Sequence, residues 1–184
     1  MDDAGRNMRK ELDERLCKLA PHLFADRSGD MRNTCMMWGF DCGDGWYGLL
    51  EEAALKLEPL CKALYDQYAP LEKPWYKHIR SMLYWSSKVP GAFKVLYYLA
   101  HKLVPGLSNP FHWYGGGPRA SQVKEKYGTL RFYMTYETDE MAEIIAAAEH
   151  KSGKTCEECG KPGTLRGHGW YYTRCAKCWK RMSE

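Results

Sequence analysis

Apolar residues recur at helical spacing over residues 7–20. Met8, Leu12, Leu16 and Leu19 share one stripe with charges opposite, which predicts an amphipathic helix stopped by Pro21. Residues 25–45 lose that period and fill with turn formers: Asp26, Ser28, Gly29, Asp30 and Asn33, then Gly39, Asp41, Gly43, Asp44 and Gly45. A second helix is predicted over 46–65 from Trp46, Leu49, Leu50, Ala53, Leu57, Leu60 and Leu64, with Asp44 as its N-cap. Residues 66–118 read as two further helices, 71–88 and 91–104, bounded by Pro70, Pro74, Pro90 and Pro105 and followed by a glycine run at 115–117. This stretch is crowded with aromatics. Their helical spacing argues for core packing, with a ligand-facing or membrane-surface face as the alternative.

The period then changes to two. Leu130, Phe132, Met134 and Tyr136 alternate with Arg131, Tyr133 and Thr135, the pattern of a strand with one buried face. Residues 122–126 are its expected partner, with Tyr127 and Gly128 at the turn. A helix over 138–151 follows, with Met141, Ile144, Ile145 and Ala148 inward. Residues 164–166 and 170–174 read as two short strands around Gly167, His168 and Gly169.

Those last strands lie between two cysteine pairs, Cys156 with Cys159 and Cys175 with Cys178. Two Cys-x-x-Cys pairs at this separation are the spacing of a structural zinc site, because each turn converges two sulfurs on a point and four thiolates suit one tetrahedral ion. One structural zinc is therefore expected on Cys156, Cys159, Cys175 and Cys178. It leaves no open coordination position for catalysis. His168, at the expected hairpin tip, is a substitute ligand only if it turns inward. The predicted fold class is α+β: a mainly helical body, a small antiparallel β element and a C-terminal zinc ribbon. The expected organisation is a helical region at 1–65, an aromatic-rich helical insertion at 66–118, a β element with a helix at 119–152, and the ribbon module at 153–184.

Composition narrows this further. The chain has 184 residues, 45% apolar and 14% aromatic, enough for a real core. Its polar, acidic start lacks the apolar centre of a secretion signal, and Cys-x-x-Cys pairs in a reducing compartment hold metal more often than they form disulfides, so an intracellular location is expected. No segment has the length to span a bilayer; the nearest candidate, 92–104, contains Lys94, His101 and Lys102. The remaining cysteines, Cys17, Cys35, Cys42 and Cys61, admit a second metal site with His22, but their separation is not that of a knuckle. Buried thiols acting as small hydrophobes are the simpler reading.

The net charge of +4 is uneven: residues 150–184 hold eight Lys/Arg against three acidic residues. Arg166, Trp170, Arg174, Lys177, Lys180 and Arg181 are thereby candidate nucleic-acid contacts, the cations for phosphates and the ring for stacking. The alternative role of the cations is to offset a thiolate-rich site, and that of Trp170 is to pack across the ribbon core. Asp41, Asp44 and Glu125 are the only carboxylates that suggest a metal-dependent nuclease, and capping and turn bonding account for them more simply. No Gly-x-Ser-x-Gly elbow or phosphate-binding glycine loop is present.

Several motifs carry a resemblance. They are residues 21–24, the run Gly39-Phe40-Asp41-Cys42-Gly43-Asp44-Gly45-Trp46, the stretch 122–133, then Ala148, Glu149 and Ser152, the first cysteine pair with Gly160 and Gly163, and finally Gly169, Trp170 and Cys175. In this order they resemble a family of small, functionally uncharacterised proteins encoded by bacteriophages and prophages, over residues 10–65 and 119–179. The resemblance implies phage origin, action in the host bacterial cytoplasm and zinc binding, and it carries over no catalytic residues. The expected function is a non-enzymatic accessory protein that binds a host macromolecule, with a host protein as first partner and DNA or RNA as the alternative.

Overall fold

The computed structural model describes residues 7–32, 34–68 and 117–183. The helices expected at 71–88 and 91–104, the aromatic run and most of the glycine run lie outside these residues. The chain divides into two units, Met1–Cys61 with Arg119–Glu184, and Lys62–Pro118. Within the second, Gly117 lies against the backbone of Tyr65, where an added Cβ would sit 3.1 Å from the Tyr65 Cα.

In the first unit, α1 (Lys10–Leu19) ends one residue before the Ala20–Pro21 step, as a proline requires. Its buried face runs through Asp13, Leu16 and Ala20, with Leu12 and Leu19 only half-buried. A carboxylate there needs a partner. Arg27 supplies it, with Nε 3.0 Å from both Asp13 oxygens and Nη2 at 2.9 Å, while its Nη1 donates to the Met37 carbonyl at 2.7 Å. One part-buried ion pair thus ties α1 to the turn-rich segment 25–39.

That segment contains short 3-10 turns at Ala25–Ser28 and Met36–Trp38, and a third at Asp44–Trp46 leads into α2 (Tyr47–Tyr68). Asp44 is not the expected cap. Its carboxylate turns away and accepts from the backbone N–H of Arg9 at 2.8 Å and from the Arg9 guanidinium. The buried side of α2 is Leu50, Ala53, Ala54, Leu57 and Cys61, continuous with Trp46. Glu58 reaches back from it to the backbone N–H groups of His22 and Leu23 at 3.2 and 2.9 Å, bracing the exit from α1.

Strands β1 (Ala120–Lys126) and β2 (Thr129–Met134) pair antiparallel around Tyr127 and Gly128, with Lys126 opposite Thr129. Both turn residues have positive φ, 54° and 77°, the geometry that matches the twist of a two-residue hairpin. Asp41 adds a one-residue parallel bridge at Lys124 on the far edge of β1, its N–H donating to Val123 and its carbonyl accepting from Glu125. The outer edge of β2 is closed by α3 (Asp139–Ser152). There Ser152 Oγ accepts from the Leu130 N–H at 2.8 Å and Glu149 from the Phe132 N–H at 2.9 Å. Thr138 caps α3, its hydroxyl accepting from the Met141 N–H. Leu130, Phe132, Met141, Ile145 and Ala148 are buried where this sheet meets α3, and Phe24 joins them edge-on to Phe40 at 5.0 Å. The fold class is α+β with small antiparallel sheets and a C-terminal cysteine cluster.

Candidate metal centre

From α3 the chain turns through Lys154 and Thr155 into a knuckle. The Cys156 N–H donates to the Lys161 carbonyl at 2.7 Å, and the Gly160 N–H donates to the Cys156 carbonyl at 2.9 Å. Strands β3 (Thr164–Arg166) and β4 (Tyr172–Arg174) then form the expected hairpin, one register pair from Leu165 to Thr173 at its centre. Cys175 follows directly, and α4 (Ala176–Ser183) begins at the next residue. The second cysteine pair therefore opens a helix and is not a second knuckle. Ala176, Cys178, Trp179 and Met182 fall at helical spacing, the sequence signal that could have announced this helix.

The four sulfurs of Cys156, Cys159, Cys175 and Cys178 all lie within 4.8 Å of one another, with Cys159 and Cys175 Sγ 3.7 Å apart. That set can hold one metal ion, and it suits a cation that accepts soft ligands. Cys156 and Cys178 are buried, Cys175 is half-buried and Cys159 is exposed, so the ion would lie at the rim of the body with two ligands inside. The Cys178 N–H points at Cys175 Sγ from 3.4 Å and lowers the Cys175 pKa to about 6. Burial, then the neighbouring Cys175 sulfur, pushes Cys178 up to about 12. Four thiolates this close cannot all ionise on their own, and a divalent cation supplies the missing charge.

The knuckle is gripped from the other end of the chain. Gly45 N–H donates to the Glu157 carbonyl at 2.7 Å, Gly43 N–H to the Glu157 carboxylate at 3.1 Å, and the Trp46 indole N–H to the Thr155 carbonyl at 2.8 Å. A Cβ on Gly45 would collide with the Cys156 carbonyl and sit 2.5 Å from Gly160 N and 2.6 Å from Cys159 N. Residues 43–46 are therefore the seat of the cysteine knuckle, and the close approach at Gly43 and Gly45 leaves no room for a side chain. On the other side, the Glu157 N–H donates to the Thr173 carbonyl at 3.0 Å, and the Thr173 hydroxyl donates to Gly128 at the β1–β2 turn at 2.5 Å.

These contacts revise the candidate nucleic-acid residues. Arg174 is buried, with Nη2 3.7 Å from Glu157, and its Nε and Nη1 are buried without a hydrogen-bond partner. It is a buried cation paired with Glu157, turned away from solvent. Burial pushes the Glu157 carboxyl up against the pull of Arg174 and the Gly43 amide. Arg181 pairs with Glu158, and Arg166 is half-buried, its Nε donating to the Arg174 carbonyl at 3.2 Å. Lys177 and Lys180 are exposed. Trp170 is 75% exposed, so it does not pack across the small hairpin core. His168 is exposed at the hairpin tip and is not a ligand.

Asp41, Asp44 and Glu125 do not form a metal site. Asp44 holds Arg9, Glu125 accepts from the Gly128 N–H at 2.5 Å, and among the described residues the three are not gathered at ligand spacing. Nor are Cys17, Cys35, Cys42 and Cys61 gathered. Burial raises the thiol pKa of Cys17 and Cys61 to about 12, and that of Cys42 well above its ordinary value, whereas Cys35 is exposed. Iodoacetamide at about pH 8 is therefore expected to modify Cys35 in the folded, metal-loaded protein and to spare the other three until the chain unfolds. Peptide mass mapping reads the result, and rapid labelling of Cys42 in folded protein would contradict this placement.

Comparison of the chain with protein-family models, curated proteins and solved structures finds no match. Among the described residues no helix is long and apolar enough to cross a membrane.

Proposed function

We propose that Cys156, Cys159, Cys175 and Cys178 hold one structural zinc ion, and that the protein is a phage-encoded accessory factor that works without catalysis by binding a host protein. The sulfur geometry supports a tetrahedrally coordinated ion, and two Cys-x-x-Cys pairs at this separation favour zinc. A tetrahedral zinc with bonds of about 2.3 Å places its sulfurs about 3.8 Å apart, and Cys159 and Cys175 stand at 3.7 Å. All four protein ligands fill the tetrahedron, so zinc organises the chain and offers no site to a substrate. The observation that carries this reading is the grip of loop 43–46 on the knuckle, which makes the ion part of the body. The phage origin and the setting in the bacterial cytoplasm, in host takeover or counter-defence, rest on the sequence resemblance.

Metal analysis of protein purified without added zinc is expected to give one zinc per chain and none of the visible absorption of thiolate-bound iron. Bait carrying zinc should recover a specific protein from host lysate, and bait with Cys156→Ser and Cys178→Ser should not. Substoichiometric zinc, or iron in its place, would overturn the metal assignment. Recovery of nothing specific would count against the partner. The burial of Arg174 against Glu157 and the pairing of Arg181 with Glu158 weigh for the protein partner over the nucleic-acid alternative.

A further inference from the structure

The four sulfurs of the cysteine cluster do not meet solvent equally. Cys156 and Cys178 are buried, Cys175 is half-buried and Cys159 is exposed. The two accessible residues belong to different Cys-x-x-Cys pairs, yet their Sγ atoms stand 3.7 Å apart. A disulfide needs about 2.05 Å between its sulfurs, a closure that side-chain rotation at an open position can make.

The two buried cysteines are held in place. Cys156 donates its N–H to the Lys161 carbonyl and accepts from the Gly160 N–H, and Gly45 packs so closely on the Cys156 carbonyl that an added Cβ would collide with it. Cys178 lies inside α4. Cys175 is different, because it stands between the end of β4 and the start of α4 and belongs to neither element. Access and freedom of movement therefore fall on the same pair.

We propose that Cys159 and Cys175 form a peroxide-sensitive switch, in which hydrogen peroxide joins them as a disulfide, zinc leaves, and the knuckle loses its grip on residues 43–46. The proposal rests on the assignment of zinc to the four cysteines and adds its regulation. A thiolate is the form that binds metal and also the form that attacks peroxide. The Cys159 sulfur attacks one peroxide oxygen, the O–O bond breaks and hydroxide departs, which leaves a sulfenic acid. The Cys175 thiolate then attacks that sulfur, the S–O bond breaks and a second hydroxide departs. The two sulfurs have lost two electrons, the peroxide has gained two, and the hydroxides take protons from solvent to become water.

Zinc is then left with Cys156 and Cys178, and two thiolates do not complete its tetrahedron. The consequence reaches across the chain because Glu157 sits between the first two ligands. Its carbonyl takes the Gly45 N–H and its carboxylate the Gly43 N–H. Cys42, fully buried and adjacent to Gly43, reports whether that contact holds.

The test treats the full zinc-loaded chain, freed of reductant, with hydrogen peroxide while a chromophoric chelator reads zinc release against an untreated control. Peptide mass mapping locates the disulfide, and iodoacetamide probes Cys42. Zinc should leave in proportion to the disulfide formed, the linkage should be Cys159 to Cys175, and alkylation of Cys42 should speed up about tenfold or more. Dithiothreitol with added zinc should restore protection, and Cys35→Ser protein should respond as wild type does. A linkage within either Cys-x-x-Cys pair, zinc retained in excess peroxide, release that requires Cys35, or Cys42 still protected after release each overturns the switch and leaves the zinc assignment standing. Protein that carries no zinc before peroxide is added overturns both.

Discussion

Chelation of the zinc proposed on the four cysteines is expected to unfold the unit formed by Met1–Cys61 and Arg119–Glu184, and not only the C-terminal tail. Structural zinc in cysteine-rich modules contributes about 10–16 kcal/mol at neutral pH, and a domain's net stability is about 5–15 kcal/mol. Loss of the ion therefore removes enough free energy to carry the transition as far as the knuckle's contacts reach. They reach far. Through Glu157 and Thr155 the knuckle holds Gly43, Gly45 and Trp46, more than a hundred residues earlier. Through Thr173 it holds the β1–β2 turn. Trp46 is fully buried and begins the apolar face of α2, so freeing its indole N–H exposes the centre of the core.

Hydrogen exchange measured before and after EDTA reads this directly. Protection should fall together in the knuckle, at the start of α2 and at the β1–β2 turn, and the Cys156→Ser, Cys178→Ser protein should show the same pattern without chelator. Loss confined to residues 155–183, with residues 8–61 and 120–152 still protected, would show that the metal supports an appendage.

That long-range grip explains which features were legible in the sequence. Elements defined by local period were readable: α1, α2, α3, the β1–β2 hairpin and the β3–β4 hairpin all lie where period and turn chemistry placed them, within a few residues. The cysteine quartet was readable because its spacing is itself local. What failed was every inference that needed a distant partner. Asp44 reads as a helix cap until Arg9 claims it. Arg174 reads as a surface cation in a basic tail, yet it is buried against Glu157. Trp170 reads either as a stacking ring or as the core of a small hairpin, and its exposure removes the second reading. The glycines at 43 and 45 were visible only as turn formers. Their close approach to the Cys156–Cys159 turn needs the distant partner to be seen.

Gly45→Ala and Gly48→Ala are expected to move stability in opposite directions. The two glycines are three residues apart, at the entry to α2 and in its first turn, and the same methyl is added at each. At position 48 the methyl meets nothing within 4 Å. The substitution there should stabilise by up to about 1 kcal/mol, because alanine loses less backbone freedom in a helix. At position 45 the methyl meets three backbone groups of the knuckle: the Cys156 carbonyl and the Cys159 and Gly160 amides. Backbone cannot swing aside as a side-chain tip can, and two of these groups belong to metal ligands. Relief therefore requires either lifting loop 43–46 off the knuckle, with loss of the Gly45–Glu157 and Trp46–Thr155 hydrogen bonds, or moving Cys156 and Cys159 out of position. Either way the destabilisation should be about 3 kcal/mol or more. Zinc affinity should fall with it, since folding and binding share the same contacts. Urea denaturation at fixed free zinc gives the first quantity and competition with a chromophoric chelator the second. If Gly45→Ala tracked Gly48→Ala in both, the loop would not be the seat of the metal knuckle, and the coupling between the metal and the N-terminal half of the chain would have to be abandoned.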